Sequence, residues 1–289
     1  MTRRPLLTAR RLLVAASLSL SVLTAACGPE LASDELAGEE FAGESEIPAH
    51  VTPQSIPSGY YSAATGKTGN DLLVALSSIV SAGTRSYSYS AARDKMFADL
   101  EDIDNDNEVD CVYTGRIAKG ISSTSNANTV RMNTEHTWPQ SLGARGVAQS
   151  DMHHLWASDN DANSRRGNFP FGVVKTVTWT APNPDGAPPS KLGKDASGRT
   201  VFEPHDRTKG DIARAIFYFY TRYYRSRPSD FTLSNFNVEE ATLRSWHEAD
   251  PPDADEVSRN DLIFALQGNR NPFVDHPEFL KEIPDFPDR

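Results

Sequence analysis

At 289 residues, with 38% hydrophobic and 24% charged side chains, the chain has the size and composition of a globular protein with a substantial core. Its formal net charge of -10 excludes a protein that holds nucleic acid through bulk positive charge. An enzyme that grips a few phosphates locally is not excluded.

Arg3, Arg4, Arg10 and Arg11 precede an apolar run from Leu12 to Ala26 that ends in small residues. This is the pattern of a signal peptide, residues 1–26, and the run is too short to make a good membrane span. Its removal takes away four arginines and no acid, moving the net charge from -10 to -14. Export follows, whether to the medium, the periplasm or an outer membrane. Leu23-Thr24-Ala25-Ala26-Cys27 resembles a lipobox, except that Thr24 stands where a large aliphatic is usual. A lipid anchor at Cys27, simple secretory cleavage and a Cys27–Cys111 disulfide are all left open.

Residues 27–56 hold seven acids (Glu30, Asp34, Glu35, Glu39, Glu40, Glu44 and Glu46) and no Lys or Arg. That composition predicts a disordered, self-repelling tether. Residues 57–289 read as one globular domain, α+β in class and helix-rich. Leu72, Leu73, Leu76, Ile79 and Val80 predict a helix over 70–82, with Gly83 as its stop. Asp102, Asp104 and Asp106 imitate the alternating acids of a calcium loop, but Asn107 and Thr114 stand where an EF-hand needs Gly and Glu. A solvated acidic loop and a Ca²⁺ site of another kind are the two readings. Val130, Met132 and Thr134 alternate as a short strand, and 173–179 is a second, followed by a Pro/Gly-rich loop.

The longest helix is expected over 209–225, with Thr208 and Asp211 at its start and Pro228 beyond its end. Ile212, Ile216, Phe219 and Tyr223 form its apolar stripe, which leaves Arg214, Arg222 and Arg225 for a solvated face. Two more helices are expected near 239–248 and 256–267. Trp138, Trp156 and Trp179 are assigned to the core rather than to base stacking.

Chemistry concentrates in residues 133–169, in three segments: Asn133-Thr-Glu-His-Thr-Trp-Pro139, Ser150-Asp-Met-His-His-Leu155 and Asp161-Ala-Asn-Ser-Arg-Arg-Gly-Asn-Phe169. Phosphodiester hydrolysis needs a base for water, a cation to bear phosphate charge and help for the leaving oxygen. A neutral histidine suits the first need. A hard cation such as Mg²⁺, with Mn²⁺ or Ca²⁺ as substitutes, wants oxygen ligands of the kind Glu135 and Asn163 offer.

These segments resemble the bacterial secreted endonuclease I family, in which Asn-x-Glu-His-x-x-Pro leads to Asp-x-His-x-Leu and then to a helix carrying Asn-x-x-Arg-x-Asn-Phe. Tyr60 to Gly69, Phe202 to Arg214 and Gln267 to Asp275 resemble further family segments, so the likeness runs from about residue 57 to 280. It implies a ββα-metal (His-metal finger) motif, with His136 as general base and a single Mg²⁺ held by Glu135 and Asn163. It also implies that Arg166 contacts phosphate or orders the site, and that Arg145 supplies a phosphate clamp from a loop of differing length. Asp151 and His153 fit supporting roles beneath the site, as does Asn168. The expected protein is a monomeric, sequence-tolerant endonuclease acting on DNA, RNA or both. Two rivals are a zinc hydrolase, disfavoured because Met132 stands where an inverted zinc motif needs His and no His-Glu-x-x-His occurs, and an envelope lipoprotein that keeps the fold only to bind.

Overall fold

Leu72, Leu73, Leu76 and Val80, spaced for one helical face, are wholly buried in α1 (Gly69–Ser81). The computed structural model describes residues 52–182 and 188–287. The expected signal peptide, Cys27 and most of the expected tether therefore lie outside the described residues. Gln54, assigned to the tether, docks on the domain: its N–H donates to Asp261 O at 3.3 Å, and its carbonyl accepts from Arg270 Nη1 at 2.7 Å.

After α1 comes α2 (Tyr89–Lys95), capped by the Ser88 side chain and prolonged by a wider turn over Met96–Leu100. β1 (Glu108–Asp110) and β2 (Ile117–Lys119) make a short antiparallel pair, and α3 (Thr124–Thr129) follows. β3 (Met132–His136) pairs antiparallel with β4 (Leu155–Asp159), and α4 (Asn160–Arg166) leaves β4 with no intervening loop. The expected strand over 130–134 is thus displaced by two residues. Arg131 adopts a left-handed φ of 60°, which turns the chain between α3 and β3.

β5 (Thr176–Thr180), β6 (Lys191–Lys194) and β7 (Thr200–Glu203) form an antiparallel three-stranded sheet. α5 (Lys209–Tyr223), α6 (Phe236–Ala249) and α7 (Ala254–Gln267) complete the scaffold, with short helices α8 (Pro272–Asp275) and α9 (Phe279–Glu282) behind them. The domain is α+β and helix-rich.

Arg214 and Arg222 do not face solvent as the amphipathic reading expected, whereas Arg225, just beyond the end of α5, is exposed. Every residue from Gly210 to Tyr223 is buried, because α1, α6 and α8 all pack against this helix. Arg214 is 0% exposed, donates from Nε to Glu256 Oε1 at 2.7 Å and pairs with Asp211. Arg222 is also buried, at 3.1 Å from Asp151. Buried guanidinium groups persist where carboxylates answer them.

The expected Thr208 cap is also replaced, since its hydroxyl donates to Val112 O (2.9 Å) and makes no cap bond. Asp250 at the end of α6 caps instead, accepting from Gly210 N at 2.9 Å. A Cβ at position 210 would lie 2.0 Å from Asp250 O, so this close approach requires glycine.

Trp138 is core as expected, stacked on Phe219 and Phe231 with centroids 4.8 and 5.3 Å away. Trp156 is buried under the Arg259 guanidinium, whereas Trp179 is half-buried beside Arg165. Cys111 is a buried free thiol whose Sγ accepts from Asp159 N at 3.0 Å.

Candidate active site

The β3–β4 pair sets Glu135 opposite Trp156 and His136 opposite Leu155. Among the described residues, β3 pairs only with β4, which leaves its other edge without a strand. Alternation along β3 puts Asn133 and Glu135 on one face and Thr134 and His136 on the other. Asp159 ends β4 and caps α4 at once, its side chain accepting from Asp161 N and Ala162 N. That direct passage from strand to helix carries Asn163 back against β3.

On the first face, the Asn163 amide is oriented by two bonds. Its Nδ2 donates to Asn133 Oδ1 (2.7 Å) and to Thr134 O (3.2 Å). Its Oδ1 makes no hydrogen bond to a described residue. Glu135 is 2% exposed; its Oε1 accepts from Tyr113 OH at 2.8 Å and lies 3.4 Å from Arg166 Nε. Its Oε2 has no such partner. Burial pushes this carboxyl upward, against the opposing pull of Arg166, Tyr113 and the His136 N–H. A buried carboxylate with one oxygen free and an amide carbonyl on the next element offer hard-oxygen donors. That set fits a hard divalent cation, which would also offset the burial of the charge.

On the second face, His136 Nε2 lies 3.1 Å from Gln149 O. A carbonyl only accepts, so Nε2 carries the proton and Nδ1 of the neutral ring is the acceptor. Gln140 Nε2 approaches Nδ1 at 3.4 Å, and Gln140 is itself held by Gln149 Nε2 at 2.9 Å. Burial and the neighbouring His154 push the ring down to about 3, so His136 is neutral at pH 7.

The other residues of the motif divide by place. Arg166, expected to touch phosphate or order the site, is 1% exposed and donates to Thr137 O (2.6 Å) and Gly167 O (2.9 Å) over the Phe171 ring. Its guanidinium is packed against Glu135, with Nε 3.4 Å from Oε1. Asp151 is buried and accepts from Tyr218 OH (2.8 Å), Tyr223 OH (2.9 Å), Gln267 Nε2 (2.8 Å) and His153 N (3.2 Å). His153 Nε2 lies 3.1 Å from Asn269 O, and His154 Nε2 2.7 Å from Ala148 O.

Arg145 is exposed and pairs with Asp230 at 3.3 Å rather than with any motif side chain. Asn168 is also exposed, with its Nδ2 3.3 Å from Ser141 Oγ. The Asp102, Asp104 and Asp106 carboxylates come within 4.8 Å of one another, and two of them already accept N–H bonds from their own loop, at Asn107 and Glu108.

Five contributors carry no local sequence signal: Tyr113 behind Glu135, Gln140 and Gln149 around His136, and Tyr89 and Arg93 on α2. The Tyr89 ring lies 5.5 Å from the His136 ring, and Arg93 Nε donates to Thr134 Oγ1 at 3.1 Å. Only the fold brings α2 to β3.

Comparison with known proteins adds an independent line. Residues 68–278 match the family model described as Endonuclease I. The chain is 33% identical over 250 residues to the extracellular ribonuclease of Bacillus subtilis (strain 168), an alignment covering 82% of each chain. It is 34% identical over 249 residues to the extracellular ribonuclease of Bacillus amyloliquefaciens, covering 81% of each. An extracellular deoxyribonuclease of Aeromonas hydrophila is 30% identical over 132 residues, 44% of this chain and 49% of that one.

Proposed function

The chain belongs to the endonuclease I family, and from that premise we propose an exported, Mg²⁺-dependent nuclease that cuts both RNA and DNA with little regard for base sequence. That it is a phosphodiester-hydrolysing nuclease follows from the family and its relatives. The finer reading rests on one observation: at the open edge of β3, Glu135 Oε2 and Asn163 Oδ1 are free and His136 Nδ1 is held as an acceptor.

In this reading β3, β4 and α4 are the ββα-metal motif. Glu135 and Asn163 would hold the Mg²⁺, whose charge would offset the negative charge that builds on the phosphate oxygens. His136 Nδ1 takes a proton from water as its oxygen attacks phosphorus. The bond to the 3′ oxygen breaks and that oxygen takes a proton from solvent water, leaving a 5′-phosphate and a 3′-hydroxyl, so no 2′-hydroxyl is needed and DNA and RNA are equivalent. Gln140, beside Nδ1 and tethered by Gln149, can hand its place to that water. Tyr113 and Arg166 position Glu135 from below. Contacts confined to phosphate carry no base information.

Export is supported by the names of the relatives and by the sequence of residues 1–26, and the same pattern leaves a lipid anchor at Cys27 as its membrane-bound variant. A zinc centre has less support: among the described residues the sole group of three or more His, Cys, Asp and Glu ligands is Asp102, Asp104 and Asp106, which contains no histidine.

The test is cleavage of plasmid DNA and of total RNA by the purified mature protein, with Mg²⁺ and then with EDTA. Wild type should degrade both polymers only with metal, and His136→Ala should lose about 10²- to 10⁴-fold while keeping its fold. Cleavage in EDTA, or a His136→Ala variant as active as wild type, would sink the mechanism.

A further inference from the structure

Beyond the motif, one half-buried cation stands out on α2. Arg93 donates through Nε to Thr134 Oγ1, and its Nη1 and Nη2 bond to no described residue. Its guanidinium carbon lies 5.1 Å from the centroid of Tyr89, one turn earlier on the same helix face. Each of the other buried or half-buried arginines among the described residues has a carboxylate within ion-pair reach. Arg93 has none. A partly desolvated guanidinium with a free two-pronged N–H edge is built to receive an oxyanion.

Its position says which oxyanion. Arg93 is anchored to Thr134 and the Tyr89 ring neighbours His136, so both belong to the Thr134/His136 face of β3. Glu135 and Asn163 act from the opposite face. Thr134, the anchor of Arg93, lies two residues before His136 on that face, about 7 Å back along the strand, a spacing that suits the phosphate next to the one attacked. The Tyr89 ring neighbours both side chains, 5.1 Å from the Arg93 guanidinium and 5.5 Å from the His136 ring.

We propose that Arg93, seated on Tyr89, is the subsite for a non-scissile phosphate next to the one being cleaved. This rests on the nuclease reading above and adds to it a substrate class, polynucleotides with at least two consecutive phosphodiesters. α2 is then the element that separates a polymer from a single diester.

The experiment compares kcat/KM on a single-stranded 12-mer with kcat/KM on the p-nitrophenyl ester of thymidine 5′-monophosphate, which has no neighbouring phosphate. Wild type, Arg93→Ala, Arg93→Lys and Arg93→Gln are measured, the last keeping a donor for Thr134 should the alanine variant fail to fold. Arg93→Ala and Arg93→Gln should reduce the preference for the 12-mer by about tenfold to a hundredfold, with partial recovery in Arg93→Lys. In a His136→Ala background, Arg93→Ala should also flatten the salt dependence of 12-mer binding by about one phosphate contact.

Equal losses on both substrates would overturn the proposal, since Arg93 would then act on the scissile phosphate or on the fold. An unchanged preference would overturn it as well. Failure of the nuclease reading is separate: wild type itself would leave the 12-mer uncut.

Discussion

Two buried polar clusters lie side by side in this protein and behave as opposites. Around Asp151, a carboxylate collects two tyrosine hydroxyls, a glutamine amide, a backbone N–H and the Arg222 guanidinium. Around Glu135 the saturation is incomplete: Glu135 Oε2 and Asn163 Oδ1 make no hydrogen bond to a described residue, and His136, bonded through Nε2 to Gln149 O, meets only a long 3.4 Å approach from Gln140 at Nδ1. Both clusters contain acids and histidines at similar depth. Burial therefore does not separate structure from chemistry here; the separating feature is whether a group's hydrogen-bonding capacity is fully used.

The largest effect expected from this contrast is on stability. Asp151 ties the 152–154 turn to α5 and α7, and although burial alone would raise its carboxyl, Arg222, His153, His154 and Gln267 hold it down at about 2. Asp151→Ala strands Arg222 and two phenols in the interior, so unfolding free energy in urea should fall by about 3–5 kcal/mol. Activity per folded molecule should survive, in contrast to His136→Ala. An Asp151→Ala variant of normal stability but no activity would mean that the saturated cluster takes part in chemistry.

The same contrast governs what was legible in the sequence. Helices expected at 70–82, 209–225, 239–248 and 256–267 appear as α1, α5, α6 and α7, because their apolar spacing is a local property. Glu135, His136 and Asn163 also sit on one short strand-strand-helix unit, so their joint placement follows from nearby residues.

The partners were not legible. Tyr113 lies 22 residues before Glu135, Arg93 lies 41 before Thr134, and Gln267 lies 116 after Asp151. Arg214 and Arg222 were misread for the same reason: helical periodicity sees a charge but not the carboxylate that another element brings to it. Arg166 falls between the cases, since its position in the motif was readable and its burial was not.

Glu239 on α6 sharpens the contrast from a third position. It is buried, accepts from Phe171 N at 2.6 Å, and burial raises its carboxyl to about 7, against the opposing Phe171 bond and Arg166. A raised folded value means that the native state keeps a proton the unfolded chain releases near pH 4.5. Stability is then fully present below about pH 4.5 and falls as pH rises through about 7. Glu239→Gln keeps the acceptor and removes the titration. The variant should match wild type near pH 4.5 and exceed it by roughly 2–3 kcal/mol at pH 8, as read from urea unfolding at both values. A stability difference that does not change with pH would show that the acid is ionised in the fold and fully paired.

Arg145 gives the smallest and most discriminating effect, because the family resemblance and the geometry disagree about it. The resemblance makes it a phosphate clamp, whereas its guanidinium is exposed and already pairs with exposed Asp230 at 3.3 Å. An exposed pair of this kind contributes about 0–1 kcal/mol, so Arg145→Ala should hardly move the thermal midpoint. If free hydrogen-bonding capacity marks the groups that meet substrate, Arg145→Ala should lower kcat/KM on the 12-mer by less than Arg93→Ala does. Asp230→Ala, which frees Arg145, should then raise it slightly. A loss at Arg145 larger than that at Arg93 would show that substrate can break a surface ion pair to recruit its cation. Only arginines held by buried carboxylates, such as Arg166 and Arg222, would then remain outside the reach of the reaction.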